Sequence, residues 1–303
     1  MISTIGMGCW GVGNDVYGIR TEQQDIDCLE RAMDFGINFF DTSPFYGNSE
    51  KVLGKCLNKH PTKITHVATK VGMISDNQWD LKPKHMIKSL NQSMSNLKTT
   101  CISLLQIHSP PLALITEETI ATILDFKRVK MIRHWGISYK TPRQALTHLQ
   151  AWAYRGAPYP DFIQINFNLL DQRAKQIGLL DWCISKKINI IARTPLCFGY
   201  LCSDIKNENL ESTDHRLKQP ESHKQAWKMS YNRFRGVKQA DETDAQFALR
   251  FCWSTPGITT TIPGVTNIAQ IEENCVLENR QSMTKQELDM LYDTYVEIEH
   301  ANQ

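Results

Sequence analysis

Short apolar runs alternate with longer segments of mixed polarity along the chain of 303 residues. Each run is nearly continuous in apolar residues, which is typical of a strand buried on both faces, as in a parallel sheet. The predicted strands cover residues 4–9, 37–41, 65–70, 102–108, 131–138, 161–167, 188–194 and 258–263.

The segments between these runs repeat their apolar residues with a helical period. Thr21, Thr116, Thr141 and Asp241 are the predicted N-caps, and Gly36 is predicted to end the first helix. Eight strand–helix units in succession predict an α/β fold, a (β/α)8 TIM barrel. We expect residues 1–303 to form a single barrel domain, because such barrels commonly have this length.

Two segments interrupt or extend this alternation. Residues 203–240, after the seventh predicted strand, are polar, charged and weakly periodic, so we predict a long insertion loop there. Residues 284–301 show the pattern of an amphipathic helix, which predicts an extra C-terminal helix. Long loops at the carboxyl end of a barrel commonly serve a site, so the insertion is a candidate part of one.

Composition and charge narrow the functional classes. Apolar residues make up 41% of the chain, and the formal net charge of +2 gives no general attraction for nucleic acid or an anionic membrane. The nine cysteines show no CxxC spacing and no cluster with histidine that fits structural zinc. Without a run of about 18 apolar residues or a signal-peptide pattern, we expect a cytoplasmic protein with reduced cysteines and no metal.

Four polar side chains stand at or just after the ends of three successive predicted strands. Asp41 and Tyr46 lie in FFDTSPFYGNSEK, Lys70 ends the third run, and His108 ends the fourth. A barrel gathers the carboxyl ends of its strands around one opening, so we expect these side chains to converge. A buried lysine needs an acidic partner, and an ammonium group lowers the pKa of a nearby phenol from about 10. The set indicates a phenolic proton donor with a histidine that orients the substrate.

Each of these residues has an ordinary explanation when it is taken alone. Asp41 would serve as a turn cap, Lys70 as a strand-end lysine that reaches solvent, and His108 as a hydrogen-bonded core histidine. Their joint position at the carboxyl ends of successive predicted strands favours a functional site. Cysteines and most tryptophans are predicted to pack in the core, with Trp10 as a wall of the substrate pocket.

The same motifs resemble those of the aldo-keto reductases. FDTSPFYGNSEKVLGKCL resembles the family's signature segment, VATKVG its lysine strand and LLQIHSP its histidine strand, and the likeness covers nearly the whole chain. The resemblance implies that Asp41, Tyr46, Lys70 and His108 are catalytic, with Tyr46 as the proton donor. It also implies reduction of a small-molecule aldehyde or ketone with a nicotinamide cofactor, without metal or flavin.

The resemblance also assigns residues to the cofactor. It places Ser138 and Gln164 at the nicotinamide carboxamide, and Glu273 and Asn274 at the adenine end. The other predicted cofactor contacts follow the first, seventh and eighth strands: Gly8, Cys9, Trp10, Arg193, Thr194, Pro195, Leu196, Pro263, Gly264, Val265 and Gln270.

This sequence departs from the family pattern near the nicotinamide. Tyr139 follows Ser138 where many members have asparagine. Arg193 stands where many members place an aromatic residue that stacks on the nicotinamide, and a flat guanidinium group is also able to stack. Pairing of Arg193 with a nearby acidic residue is an equally good expectation.

The positions that would bind a 2′-phosphate also differ. Many members have a lysine, a serine and an arginine where this chain has Gly264, Val265 and Gln270. Backbone N–H groups near Thr266 and Asn267 are an alternative phosphate site, because they lie at the start of a predicted helix. The family pattern favours NADP(H), and NAD(H) is the alternative.

Two other functions would use the same pocket. One is a regulatory or sensor protein that binds the cofactor with little turnover, and the other is a barrel lyase or isomerase that retains a nicotinamide cofactor. The substrate is also open: a sugar or an acidic compound is compatible with the polar residues His215, Arg216 and Arg233 of the insertion. The insertion is also a candidate clasp over the cofactor's pyrophosphate.

Overall fold

The computed structural model describes residues 1–202, 210–275 and 280–301, and a sheet of eight parallel strands forms their centre. Each strand pairs with the next one along the chain. Parallel bridges join Ile5 to Thr261 and Gly8 to Gly264, which brings the first strand against the last and makes the barrel nearly closed. The strands are β1 (Met7–Gly8), β2 (Phe39–Asp41), β3 (His66–Val71), β4 (Ile102–His108), β5 (Ile132–Ser138), β6 (Phe162–Asn166), β7 (Asn189–Arg193) and β8 (Ile258–Ile262).

This arrangement confirms the predicted (β/α)8 barrel. Every predicted run overlaps one strand, and most strand ends differ from the predicted ends by no more than two residues. A short antiparallel hairpin, Met73–Ser75 with Gln78–Trp79, follows β3 and was not predicted. The single-domain organisation of residues 1–303 stays a prediction.

Helices pack around the outside of the barrel. Within the described ranges, none of them combines the length and apolar character that crossing a bilayer requires. They are α1 (Glu22–Asp34), α2 (Ser49–Lys59), α3 (Pro83–Asn96), α4 (Glu117–Arg128), α5 (Pro142–Arg155), α6 (Arg173–Gln176), α7 (Leu179–Lys186), α8 (Glu221–Phe234), α9 (Asp244–Ser254), α10 (Ile268–Cys275) and α11 (Lys285–Ala301).

Three of the four predicted N-caps are confirmed. Thr21 and Thr116 form capping boxes, and the Thr141 side chain accepts a hydrogen bond from the third residue of α5. The prediction of Asp241 is wrong, because α9 begins two residues later and Thr243 is its cap. Gly36 lies just beyond the cap of α1 with a φ of 86°, a conformation that glycine adopts without strain.

The predicted insertion loop contains a helix. Residues 203–209 lie outside the described ranges, and α8 occupies 221–234. Trp227, Tyr231 and Phe234 follow the spacing of one helix face, and Tyr231 and Phe234 are buried against the core. The charged and polar residues between them obscure this spacing in the sequence. The predicted C-terminal helix is confirmed as α11.

Two layers fill the barrel. The lower layer is apolar and includes Phe39, Ala68, Leu104, Phe162 and Ile191. Side chains of a strand alternate between its faces, so the residue two positions later points inward again. In each of these five strands that next inward residue is polar: Asp41, Lys70, Gln106, Gln164 and Arg193. The polar layer therefore lies at the carboxyl end of the strands.

Candidate active site

A cavity of about 770 Å³ opens at the carboxyl end of the barrel. Its inner part is lined by Asp41, Tyr46, His108 and Arg193, and its outer part reaches Asn274 on α10. The volume falls within the range of small-molecule and cofactor pockets, about 300–1,000 Å³.

The Asp41 carboxylate is the centre of a buried hydrogen-bond network. Lys70 Nζ donates to Asp41 Oδ1 at 2.6 Å and to the Thr42 carbonyl at 2.9 Å. The amides of Gln106 and Gln164 donate to Asp41 Oδ2 at 2.9 and 2.8 Å. Because these donors to the carboxylate come from three different strands, the carboxylate is fixed in position.

Lys70 presents its charge to Tyr46. Its Nζ lies 4.6 Å from the centre of the Tyr46 ring. Burial by itself lowers the pKa of Lys70, but Asp41 and Tyr46 together outweigh burial and raise that pKa above its usual value. Lys70 is therefore a permanent cation next to a tyrosine that reaches the cavity.

Two neighbours fix His108. Ser43 Oγ lies 3.3 Å from His108 Nδ1, and Trp79 Nε1 donates to the His108 carbonyl at 2.7 Å. Burial, then the charges of Lys70, Arg193 and Lys140, hold the pKa of His108 well below 6.5. The imidazole is therefore neutral at neutral pH, and it is suited to a hydrogen bond with a polar substrate atom.

Arg193 is held by neutral acceptors rather than by an acid. Its Nε, Nη1 and Nη2 donate to Asn166 Oδ1 at 2.6 Å, Ser138 Oγ at 3.2 Å and the Tyr139 carbonyl at 2.8 Å. Among the described residues, no carboxylate lies within 4.0 Å of the guanidinium group. The alternative in which Arg193 pairs with an acid is therefore wrong.

A phenol beside a buried ammonium–carboxylate pair, with a neutral imidazole across the cavity, is suited to protonating a substrate oxygen. The sequence model of the Aldo/keto reductase family matches residues 4–295. The chain belongs to the aldo-keto reductase family. Its members are oxidoreductases that use nicotinamide cofactors.

Individual relatives support the same family. The uncharacterized oxidoreductase YqkF of Bacillus subtilis is 24% identical over 300 residues, which cover 96% of this chain and 92% of that protein. The L-galactose dehydrogenase of Arabidopsis thaliana is 27% identical over 280 residues, which cover 90% and 83%. The solved glycerol dehydrogenase of Gluconobacter oxydans is similar in fold, with a TM-score of 0.81 at 23% identity over 98% of this chain and 92% of that chain.

The end of the aldo-keto reductase cavity that lies near α10 has few charges. Gly264, Thr266 and Gln270 line it, while Val265 is buried. The Thr266 N–H, a predicted phosphate donor, already donates to Gln270 Oε1 at 2.8 Å. Arg20 is close by, but it is paired with Asp25 and donates to the Val265 carbonyl.

Aromatic and apolar side chains form the mouth of the cavity. Trp10, Tyr17, Phe45 and Met73 line it, and the Trp10 and Tyr46 ring centres lie 6.5 Å apart. Trp10 therefore lines the cavity, and its role as a wall of the substrate pocket stays a prediction. Arg233 lies elsewhere, in an exposed pair with Glu297, so it gives no support for a sugar or an acidic substrate.

The residues after β7 cover one side of the mouth. Glu211 Oε2 accepts a hydrogen bond from the Ile19 N–H at 2.9 Å, and the His215 N–H donates to the Val16 carbonyl at 3.0 Å. The His215 ring lies 4.5 Å from that of Trp10. These contacts join the insertion to the loop after β1.

Most predicted site residues reach the cavity, and five lie behind its wall. Lys70 lies against the Tyr46 ring, and Ser138 accepts a hydrogen bond from Arg193. Cys9 is fully buried, and the Pro263 carbonyl accepts a hydrogen bond from Gly8. The contacts predicted for Cys9, Pro263 and Val265 stay predictions. The predicted residues that line the cavity are Gly8, Trp10, Asp41, Tyr46, His108, Gln164, Arg193, Thr194, Pro195, Leu196, Gly264, Gln270, Glu273 and Asn274.

Several functional neighbours were not found from the sequence. Gln106 was missed although it lies two residues after the inward Leu104, a spacing that was available. Ser43 contacts the His108 ring and Trp79 donates to the His108 backbone carbonyl, and the sequence carries no signal for either contact. Asn166 was given no role, and it holds Arg193.

Proposed function

We propose that this protein is a reductase that converts an aldehyde or a ketone to an alcohol with NADH or NADPH. The observation that carries the proposal is that Tyr46, Asp41 and His108 line one cavity while Lys70 lies directly behind it, bound to Asp41 and next to the Tyr46 ring. The alternatives, a sensor with little turnover and a lyase or isomerase, use the same cofactor but not a net reduction.

In this proposal Tyr46 donates a proton to the substrate oxygen. Lys70 stabilises the negative charge that then remains on the phenol oxygen, and Asp41 holds Lys70 in place. His108, which is neutral, donates one hydrogen bond to the same oxygen, because a carbonyl oxygen only accepts. The nicotinamide cofactor supplies the hydride when it is bound.

The cavity fits a dinucleotide. It runs without interruption from Tyr46 to Glu273 and Asn274, which supports nicotinamide at one end and adenine at the other. Ser138 and Gln164 are engaged with each other at 3.3 Å, and Gln164 also binds Asp41. In the proposal, Ser138 and Gln164 contact the nicotinamide carboxamide through the donor and acceptor positions that these two hydrogen bonds do not occupy.

NADPH is the first choice of cofactor, on the family pattern, and NADH is the rival. Thr266, Asn267 and Gln270 provide uncharged groups near the proposed phosphate position. Phosphate binding there would need Gln270 to release the Thr266 N–H. A helix start is favourable for such binding, but the absence of a nearby unpaired cation in the described residues favours NADH.

Fluorescence titration of the purified full chain with NADPH, and separately with NADH, tests the cofactor. Seven tryptophans, including Trp10 at the cavity, provide the signal. A panel of aldehydes and ketones, followed at the absorbance of the reduced cofactor, tests turnover. No binding of either cofactor overturns the proposal, and binding without turnover supports the sensor instead.

A tyrosine variant connects the chemistry to the site. We expect Tyr46→Phe to retain cofactor binding and to lose about 100-fold or more in kcat, since general acid catalysis contributes this much. The matched control is Tyr154→Phe, which removes the hydroxyl of a fully exposed tyrosine on α5. Equal activity in both variants contradicts the assignment of Tyr46.

We further propose that the insertion closes over the cofactor as a clasp. Its support is the contact of Glu211 and His215 with the loop after β1. We expect bound cofactor to protect Arg216 and Lys218 from trypsin, and Glu211→Ala to weaken that protection. Unchanged cleavage on adding cofactor contradicts the clasp.

The substrate class and the cellular location are two further proposals. The apolar and aromatic mouth supports a small carbonyl compound, and Arg216 is bound to Asp214 at 2.6 Å, which gives no support for an acidic substrate. Buried thiols such as Cys56 and Cys183 fit the proposed cytoplasmic location, because they need no oxidising compartment.

A further inference from the structure

The proposed mechanism leaves the charge of Arg193 without a role. Arg193 lines the inner cavity, and the three oxygens that it contacts, on Asn166, Ser138 and Tyr139, are all neutral. A buried or partly buried cation is costly unless an anion or several hydrogen bonds offset the cost. Here hydrogen bonds hold the guanidinium group in place while its charge stays uncompensated.

The acidic groups nearest to Arg193 have other partners. Asp41 binds Lys70, Gln106 and Gln164, and Asp171 is bound by Arg173 through two hydrogen bonds, at 2.7 and 2.6 Å. His108 adds no charge at neutral pH because its pKa is lowered. Asp41 and Lys70 cancel, so Arg193 gives this part of the cavity a net positive charge.

Arg193 is connected to the proposed reaction centre by a continuous chain of hydrogen bonds. It donates to Ser138, Ser138 donates to Gln164 at 3.3 Å, and Gln164 donates to Asp41 at 2.8 Å. A carbonyl group that receives a proton from Tyr46 must also have the hydride donor within about 3.5 Å of its carbon. The nicotinamide ring is therefore expected in the part of the cavity that Arg193 lines.

The two redox states of that ring differ in charge. The reduced ring is neutral, and the oxidised ring carries one positive charge. In a cavity with a low effective dielectric constant, a fixed cation repels the oxidised ring and has little effect on the reduced one. Adenine, ribose and phosphate are the same in both states, so their contacts do not change with redox state.

We infer that Arg193 makes this site bind the reduced cofactor more tightly than the oxidised cofactor, by repulsion between its guanidinium charge and the oxidised nicotinamide ring. This inference rests on the proposed function and adds a specificity-determining role for a residue on the cavity floor. Its consequence is weak product inhibition during carbonyl reduction, since the oxidised cofactor that remains after turnover is bound less tightly.

The test is the ratio of two dissociation constants, oxidised over reduced, measured by fluorescence titration with whichever cofactor the protein prefers. Arg193→Gln removes the charge, and Arg193→Lys keeps it. Asn166→Asp retains Arg193 and places a carboxylate at the oxygen that now lies 2.6 Å from its Nε. Arg128→Gln is the control, because it removes one positive charge at a side chain that is 74% exposed.

We expect a wild-type ratio well above one. Arg193→Gln and Asn166→Asp should each lower it about tenfold, while Arg193→Lys and Arg128→Gln leave it within about twofold. Circular dichroism checks that each variant folds. If Arg193→Gln does not fold, the ratio measured for Asn166→Asp decides the test. The inference is overturned if the ratio does not change in Arg193→Gln and Asn166→Asp, or if these variants weaken the binding of both redox forms equally. Either result leaves the proposed function standing. Failure of the wild type to bind either form is failure of the proposed function itself.

Discussion

At the scale of single residues, Ser43 decides how the His108 ring is presented to the cavity. Its hydroxyl lies 3.3 Å from His108 Nδ1, and both side chains are buried. We expect Ser43→Ala to lower kcat/KM about fivefold, since one neutral hydrogen bond contributes about 1 kcal/mol. Cofactor affinity should not change. Steady-state kinetics on an aldehyde substrate, with a separate cofactor titration, check both.

Ser93 provides the matched control for this substitution. It is a fully buried serine on α3, and its hydroxyl has no hydrogen-bond partner within the described ranges. Ser93→Ala should therefore leave kcat/KM as it is. Equal loss in the two variants would show that a general effect of buried serines, and not the contact with His108, causes the change.

The Lys70–Asp41 pair supports the fold as well as the proposed chemistry. Lys70→Met leaves the Asp41 carboxylate buried without its cation, which is expected to cost about 3–5 kcal/mol in the free energy of unfolding. The double variant Lys70→Met/Asp41→Asn removes both charges and should recover most of that loss without recovering activity. Urea unfolding of the three proteins measures this, and a double variant no more stable than Lys70→Met contradicts it.

The sequence predicts which residues reach the site better than it predicts what they bind. Asp41, Tyr46, Lys70 and His108 were found because each follows an apolar run, and a barrel gathers such ends at one opening. Arg193 was expected to stack on a ligand or to pair with an acid; its contacts with neutral oxygens contradict the pairing, and the stacking stays a prediction. Which partner a polar group selects depends on distances that arise only after the strands have assembled.

At the scale of elements, the cap of α9 gives a sharp comparison. The Thr243 side chain accepts from the Gln246 N–H, and Gln246 Oε1 accepts from the Thr243 N–H at 3.1 Å. We expect Thr243→Ala to lower the free energy of unfolding by about 1 kcal/mol. Asp241→Ala should have a much smaller effect, because Asp241 only forms an exposed pair with Arg280. Thermal unfolding distinguishes the two, and an equal loss would restore Asp241 as the cap.

Elements with a clear pattern of apolar residues were predicted from the sequence. Elements whose apolar residues are too few or too widely separated to form such a pattern were not. The strands and α1 carry continuous apolar runs or clear caps. In α8, Trp227, Tyr231 and Phe234 are separated by charged and polar residues, and Trp227 packs against Phe198 and Tyr200, which precede the insertion. The hairpin after β3 is likewise too short for a periodic signal.

At the scale of the whole molecule, the alternation within each strand places the site above the core. Phe39 and Asp41, and likewise Leu104 and Gln106, are two residues apart, so an apolar inward side chain is followed by a polar one. Gly136 makes room for this packing on the neighbouring strand, because a Cβ there would lie 2.6 Å from the Phe162 carbonyl. The order of the layers was therefore present in the sequence, while their closure into a ring depends on the contacts between β1 and β8.

His148 connects the outer helix layer to the acid stability of the molecule. It is 2% exposed, and burial lowers its pKa from 6.5 to about 4. Its ring faces Tyr139 and Trp152, and Arg143 lies in the same outer pocket. The pKa is depressed in the folded state, so above pH 6.5 neither state binds the proton and His148 has no effect. Below that pH the unfolded state binds the proton first, and stability falls until the pH reaches about 4.

We expect His148→Gln to remove this loss. Near pH 5 the wild type should lose about 2 kcal/mol through His148 relative to pH 7.5, and the variant should be less sensitive to acid by that amount. His66, His108 and His215 also have lowered pKa values, so both proteins become less stable in acid and only the difference reports on His148. Urea unfolding at the two pH values measures the difference. Parallel loss in the two proteins would mean that His148 takes up its proton in the folded state at its ordinary pKa, and that the packing around Tyr139 does not exclude the charged ring.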